Sequence, residues 1–360
     1  MARIIMATWD GGGNVPPTIA IAEELRRRGH DLLVIGHAGN RRAARRAGLS
    51  FECYATARHF VGSVVNSPLT LLNSLCDRAM GADVADAVRR FGADLVVVDC
   101  LLPAVLDRLV ADGVRFVMLE HMFDGFLRDA LMRGPYGIGL RLKGFRYTQL
   151  SDGAQRCIVA TLPDLDPGSG RARANVVFTG PTCTGISSTP RSEPTILVSL
   201  STFGYAGMAK VYQRIIDAVA TLPVHAIVTT GGLVDAAALR PAANVELCGY
   251  VPHAELLSQT SLVVGHGGHS TTMIALAHDI PLLIIPMQSK VDQPMVGAAI
   301  QAAGAGRTMS RRSTSGAIRA AVEQLLADPI ARENAARLGQ TIRDGDGARA
   351  ATTEIEKVLT

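Results

Sequence analysis

The sequence predicts an α/β protein made of two successive parallel-sheet domains, and three observations lead there. Short apolar runs alternate with longer amphipathic stretches from end to end, the pattern of βα units. The alternation breaks once, at 180–194 (GPTCTGISSTPRSEP), a Gly, Pro, Ser and Thr stretch with almost nothing to bury, and then restarts. The chain has 360 residues, more than one hydrophobic core usually organises.

Taken in order, the strands are expected at 3–8, 31–36, 94–98, 115–119, 155–160 and 175–179, with helices at 17–28, 69–91 and 103–112 between them. After the break, strands are expected at 195–200, 224–229, 245–248, 261–265 and 281–285. From Ser313 the chain reads as mainly helical, and its last helix is a plausible strap across both domains. The expected division is therefore 1–180, a linker at 181–194, a second domain at 195–342 and a terminal helix at 343–360. In such sheets a ligand is expected at the carboxyl ends of the strands.

Composition narrows the class. Hydrophobic residues make up 48% and charged residues 19%, which argues for a well-buried globular chain. Aromatics are few, with nine Phe, six Tyr and one Trp, so small aliphatic residues must fill the cores, as in buried parallel strands. Lys and Arg exceed Asp and Glu by only 36 − 32 = 4, and the arginines form no dense stripe, so no nucleic-acid partner is expected. The six cysteines form no CxxC pair and no zinc-ligand cluster, which fits reduced thiols and no metal. The amino-terminal apolar run is too short for a secretory signal, and no stretch reaches the ~18 apolar residues of a membrane span. A cytoplasmic protein without integral membrane association is expected.

The most informative segment is 249–306. Its centre is a strand that turns through Gly265, His266, Gly267 and Gly268 into a helix opening with His269, Ser270, Thr271 and Thr272. A helix amino terminus offers unpaired N–H groups and a partial positive charge, and glycine clears the approach for a phosphate. This is a pyrophosphate cradle with neither a metal nor a Walker lysine, although any βα junction can use glycine. After the next strand comes MQSKVDQ (287–293), where Asp292 and Gln293 suit sugar hydroxyls or, for Asp292, a helix cap. The loop GYVPH (249–253) offers a ring and backbone groups to a flat base, or is ordinary loop packing.

In this order, SLSTFG, GYVPHAELL, GHGGHSTT and PMQSKVDQP resemble the carboxyl-terminal donor domain of the family 1 glycosyltransferases, especially the bacterial antibiotic and macrolide type. The resemblance covers nearly the whole chain, weakly in the first half and strongly from Thr195. It implies the GT-B fold, two Rossmann-like domains facing across a cleft, and an inverting transfer from a nucleotide sugar without a further cofactor. It also implies that His266 donates to the donor pyrophosphate and that Gly268, His269, Ser270 and Thr271 bind phosphates. By the same resemblance, Tyr250, Val251 and His253 hold the base, Asp292 and Gln293 bind the hexose, and Ser201 and Thr202 close the phosphate site. UDP-using members carry a Glu where this chain has Ile274, so the site loses a reason to prefer ribose, and a dTDP-deoxysugar donor is favoured over UDP.

On the acceptor side, the turn WDGGGNVPP has Asn14 where family members carry a His or Asp that deprotonates the acceptor. A carboxamide cannot take that proton. Asp10 in the same turn is one replacement, with Asn14 positioning the substrate. A second is Asp99, at the family's orienting position, or an acceptor activated enough to need no strong base. A third reading is a degenerate member that binds without turnover. His59, Phe60, Glu120, His121 and Phe123, in loops after strands, are the candidate acceptor contacts. The expected partners are a nucleotide-sugar donor and a small lipophilic acceptor, with a homodimer left open. The alternatives are an auxiliary nucleotide-sugar-binding protein and a nucleotide-sugar epimerase.

Overall fold

The computed structural model describes residues 1–65, 67–187 and 193–360, with the backbone alone of Pro68. Residues 188–192, in the middle of the expected linker, lie outside the described residues. The chain divides into two compact units: one is Met1–Gly62, Asn66–Thr182 and Gly345–Thr360, the other is Ser63–Val65 and Cys183–Asp344.

The first unit holds a seven-stranded parallel sheet: β1 (Arg3–Ala7), β2 (Asp31–Gly36), β3 (Ser50–Cys53), β4 (Leu95–Asp99), β5 (Phe116–Glu120), β6 (Arg156–Val159) and β7 (Val176–Phe178). Their order is β3-β2-β1-β4-β5-β6-β7. The second holds β8 (Thr195–Ser199), β9 (His225–Thr229), β10 (Val245–Cys248), β11 (Leu262–Gly265), β12 (Leu282–Ile284) and β13 (Gly306–Thr308), in the order β10-β9-β8-β11-β12-β13. In each sheet the chain reverses direction of travel once, between β1 and β4 and between β8 and β11. Loops leaving those paired strands part to opposite faces, which opens a crevice at their carboxyl ends.

The central strands are buried on both faces; β4, β5 and β8 have no exposed residue. Two strands go beyond the expected set. β3 and β13 each lie at one edge of their sheet, are three or four residues long and are partly exposed, so neither carries the apolar run that marks a buried strand. The helix expected at 69–91 is two helices, Pro68–Leu75 and Arg78–Phe91. Asp77 between them is extended and accepts a hydrogen bond from Ala79 N at 3.1 Å, capping the second.

The Val15–Arg27 helix shows how pattern becomes packing. It starts on two prolines, whose missing N–H groups are orphans in a first turn anyway, and it buries Pro17, Thr18, Ile21, Ala22 and Leu25 along one stripe. Ile21, Ala22 and Leu25 join Ile4, Met6, Val34 and Val97 in a core that also takes Ala351 and Ile355 from the terminal Gly347–Leu359 helix. The second unit's core gathers Ile196, Val198, Val264 and Leu283 beneath the Met208–Val219 helix. No helix among the described residues is long and apolar enough to cross a membrane.

Candidate functional site

In the first unit the crevice between β1 and β4 is closed by a side-chain contact. Asn14, which begins the Val15–Arg27 helix, makes no capping bond with its side chain. Its Nδ2 instead donates to Asp99 Oδ2 (2.8 Å), Thr8 Oγ1 (2.9 Å) and the Trp9 carbonyl (3.0 Å). Asp99 Oδ1 accepts from Leu101 N at 2.8 Å and lies 3.4 Å from His121 Nε2. Asn14 and Asp99 are 1% and 2% exposed, so this polar knot is interior. Tyr54 donates to the Thr8 carbonyl at 2.8 Å behind it, and burial, with Asp99 beside it, raises that phenol.

Asp10 has a different neighbourhood from Asn14. Its Oδ2 accepts from Gly62 N at 3.1 Å, and a Cβ on Gly39 would meet its carboxyl at 2.7 Å, so the carboxylate pins two loops together. His59 is exposed, whereas Phe60 is 5% exposed and packs on Trp9 (ring centroids 5.5 Å) and His37 (5.7 Å). Phe60 is therefore buried among rings, and Glu120 and Phe123 are both 0% exposed. Neither Glu120 oxygen has a hydrogen-bond partner among the described residues. Burial, followed by the nearby Asp124, holds this carboxyl well above the usual range, because Arg173 at 3.9 Å is too far to offset the lost hydration. His121 is likewise buried, at 8% exposure, so of the five expected contacts His59 alone is exposed.

In the second unit the loops after β8 and β11 carry the expected donor residues. Gly267 has φ +82°, and a Cβ there would come within 2.9 Å of the Gln293 carbonyl, so this turn requires glycine. Gly268 starts the His269–Ala277 helix, and the His266 ring lies across it: a Cβ on Gly268 would meet His266 Nε2 at 2.5 Å. The glycine thus lets an imidazole rest on a helix amino terminus. Burial, with His253 nearby, pushes His266 down to about 3, so the ring is neutral at ordinary pH. Its Nδ1 is buried with no partner among the described residues. His269 is 9% exposed, Ser270 and Thr271 are half-buried on the first turn, and Thr272 Oγ1 donates back to the Gly268 carbonyl at 3.0 Å.

Ser201, 9% exposed, turns its Oγ to accept from Phe203 N at 2.8 Å, while Thr202 is exposed. His253 Nε2 sits 3.0 Å from Ser199 Oγ at the end of β8, and Tyr250 is 64% exposed beside half-buried Val251. Ile274 is half-buried in the His269–Ala277 helix. Asp292 is half-buried and precedes the Gln293–Ala302 helix without a side-chain capping bond. Gln293 is 1% exposed, and its Oε1 accepts from Met287 N (2.8 Å) and Gln288 N (3.0 Å), which orders the loop before it. Sequence reasoning missed Arg311, whose guanidinium donates to the Met287 carbonyl (2.7 Å) and the Ala206 carbonyl (3.1 Å) and so ties this loop to the one after β8. An Arg outside every motif gave no signal.

Comparison with known proteins agrees with this architecture. Residues 213–360 match the erythromycin biosynthesis protein CIII-like carboxyl-terminal domain. The chain is 30% identical over 177 residues to a zeaxanthin glucosyltransferase of Pseudescherichia vulneris, covering 48% of this chain and 42% of that protein. It is 28% identical over 240 residues to a PGL/p-HBAD biosynthesis rhamnosyltransferase of Mycobacterium tuberculosis, covering 63% and 52%. The chain thus spans about half the length of these curated relatives. Among solved structures, the kitacinnamycin glycosyltransferase superposes with a TM-score of 0.80 at 21% identity, covering 100% of this chain and 99% of that one. The calicheamicin glycosyltransferase CalG4 gives 0.80 at 22%, covering 100% and 98%.

Two parallel sheets of this order, with these superpositions, define a GT-B protein. Its residues 213–360 are similar to the erythromycin biosynthesis protein CIII-like carboxyl-terminal domain, and the relatives that it matches in sequence are glycosyltransferases.

Proposed function

We propose that the protein transfers a hexosyl group, with inversion, from a nucleoside diphosphate sugar to a lipophilic natural-product acceptor. The observation that carries this reading is the turn after β11. There a neutral His266 with an unpartnered Nδ1 rests on the Gly268 start of a helix whose first turn bears Ser270 and Thr271. Donors fixed before reaction at a point where charge develops stabilise a departing diphosphate without reorganising, so neither a metal nor another cofactor is required. In this reading Asp292 meets the hexose, and Tyr250, Val251 and His253 hold the base. Ile274, which offers no acceptor to ribose hydroxyls, favours a dTDP sugar over a UDP sugar. The glucosyl and rhamnosyl transfers for which these relatives are named support the class of reaction.

The test is to incubate the protein with UDP and dTDP sugars and a panel of polyketide and phenolic acceptors while following nucleotide release. Release that depends on acceptor is expected. Tight dTDP binding without release would instead favour an auxiliary binding protein, the reading that Asn14 supports, and a changed sugar without acceptor would indicate an epimerase.

A further inference from the structure

The Pro135–Leu142 helix of the first unit turns an apolar side to solvent, and exposed cations stand beyond both of its ends. We propose that this helix and the Pro68–Leu75 helix beside it form a peripheral docking surface for an anionic lipid bilayer. Docking of this kind lies beyond the transfer reading and does not depend on it.

Burial along the Pro135–Leu142 helix shows which way it faces. Its buried residues are Gly137 and Leu140, three apart and so on one side. Ile138 and Leu142, four apart, share the opposite side, where they are 51% and 85% exposed. An ordinary surface helix carries polar residues there. The neighbouring helix extends the same surface: a Cβ on Gly139 would meet Leu72 Cδ2 at 3.2 Å, so the two helices touch. The Pro68–Leu75 helix has no charged residue, and none of residues 69–75 is buried. Leu69, one turn before Leu72, is 64% exposed. A single exposed leucine is ordinary, but three large apolar side chains more than half exposed on two touching helices make a surface that gains by leaving water.

Charge selects the partner. Residues 133–146 contain Arg133, Arg141, Lys143 and Arg146 and no acidic residue, a balance of +4 that equals the net charge of the whole chain. Extending the run back to residue 128 adds Arg128 and Asp129, whose charges cancel. All four cations are exposed, and none forms an ion pair among the described residues, whereas Arg78, Arg90 and Arg108 of the same unit pair with Asp107, Glu52 and Asp112. Arg141 Nη1 donates to the Met132 carbonyl at 3.2 Å, which keeps its guanidinium beside the helix. Apolar side chains that enter the acyl boundary, flanked by cations that stay with the headgroups, are how an interfacial helix binds, and each such cation adds attraction to anionic lipid. The long Arg and Lys stems let their charges remain at headgroup level while Ile138 and Leu142 go deeper. A second copy of the chain fits less well, because a twofold contact would set these four cations against the same four.

Co-sedimentation with vesicles of phosphatidylcholine alone, and of phosphatidylcholine with about 30% phosphatidylglycerol, tests the surface. Partition to the anionic vesicles should be at least about tenfold tighter, and should weaken as salt rises from about 0.1 to 0.5 M. Ile138→Ser with Leu142→Ser should reduce it by at least about tenfold, and Lys143→Ser with Arg146→Ser by about tenfold, while thermal melts and dTDP affinity stay those of the wild type. In Leu142→Trp, indole emission should shift to the blue when anionic vesicles are added, which charge attraction without insertion would not cause. Partition to neither vesicle, equal partition to both, or partition that either double variant leaves unchanged overturns the proposal. So does a concentration-dependent dimer in sedimentation that Ile138→Ser with Leu142→Ser abolishes, which would assign the face to a second copy. Each of these results leaves the transfer reading intact, since nucleotide release is followed without vesicles.

Discussion

Gln293 Oε1 accepts a hydrogen bond from the Met287 amide at 2.8 Å and so helps to order the loop that begins six residues before it. Its neighbour Asp292 is half-buried and makes no side-chain capping bond to the helix that follows. Gln293→Ala strips the acceptor from two backbone N–H groups and should destabilise the protein by about 2–4 kcal/mol in urea denaturation. Asp292→Ala should cost under about 1 kcal/mol yet weaken nucleotide-sugar binding relative to dTDP alone. Calorimetric titration with both ligands, alongside the urea curves, checks the division of labour. Equal stability losses in the two variants would contradict it.

Gly268 is required for what lies over it. In Gly268→Ala the new methyl group would collide with the His266 ring, and the ring must swing off the helix start. The backbone at Gly268 is ordinary, with φ −66°, so stability should change little. Affinity for dTDP should fall at least about tenfold, about 1.4 kcal/mol. Titration calorimetry with a thermal melt on the same sample reads both.

Glu120 makes stability depend on pH. Its folded pKa lies above its unfolded value, so the fold holds a proton that the unfolded chain releases. Its contribution is fully present below the unfolded value, near pH 4, and is lost as pH rises toward the folded one, by about 1.4 kcal/mol per unit. Glu120→Gln keeps the shape and cannot ionise. Between about pH 5 and 8 its urea midpoint should decline less than that of the wild type. Parallel curves for the two proteins would remove Glu120 as the cause.

Ile274 bears on nucleotide choice. Ile274→Glu adds a carboxylate able to accept from ribose hydroxyls, and should improve UDP relative to dTDP by about tenfold. Competition of the two nucleotides in one titration measures the ratio directly.

The parts of this molecule readable in the sequence are those whose meaning is local. The strand, glycine turn and helix start that carry His266 and Gly268 fall within a dozen residues, and the central strands are continuous apolar runs because both their faces are covered. Edge strands β3 and β13 have one side open, so the apolar signal is diluted. Position in a motif also failed to reveal direction: Gln293, which opens a helix, and Phe60, in a loop, are both buried. The His121 and Asp99 contact depends on the register of two strands and the loop beyond them, a relation no single segment encodes.

The terminal Gly347–Leu359 helix places Ala351 and Ile355, both 0% exposed, in a core begun by Ile4 and Met6. During synthesis that core must therefore wait, its strip on the Val15–Arg27 helix uncovered, until the ribosome has made the whole intervening domain. Cutting the chain near Thr182 would give an amino-terminal fragment lacking part of its own interior, so its partner domain is the more promising of the two to express alone.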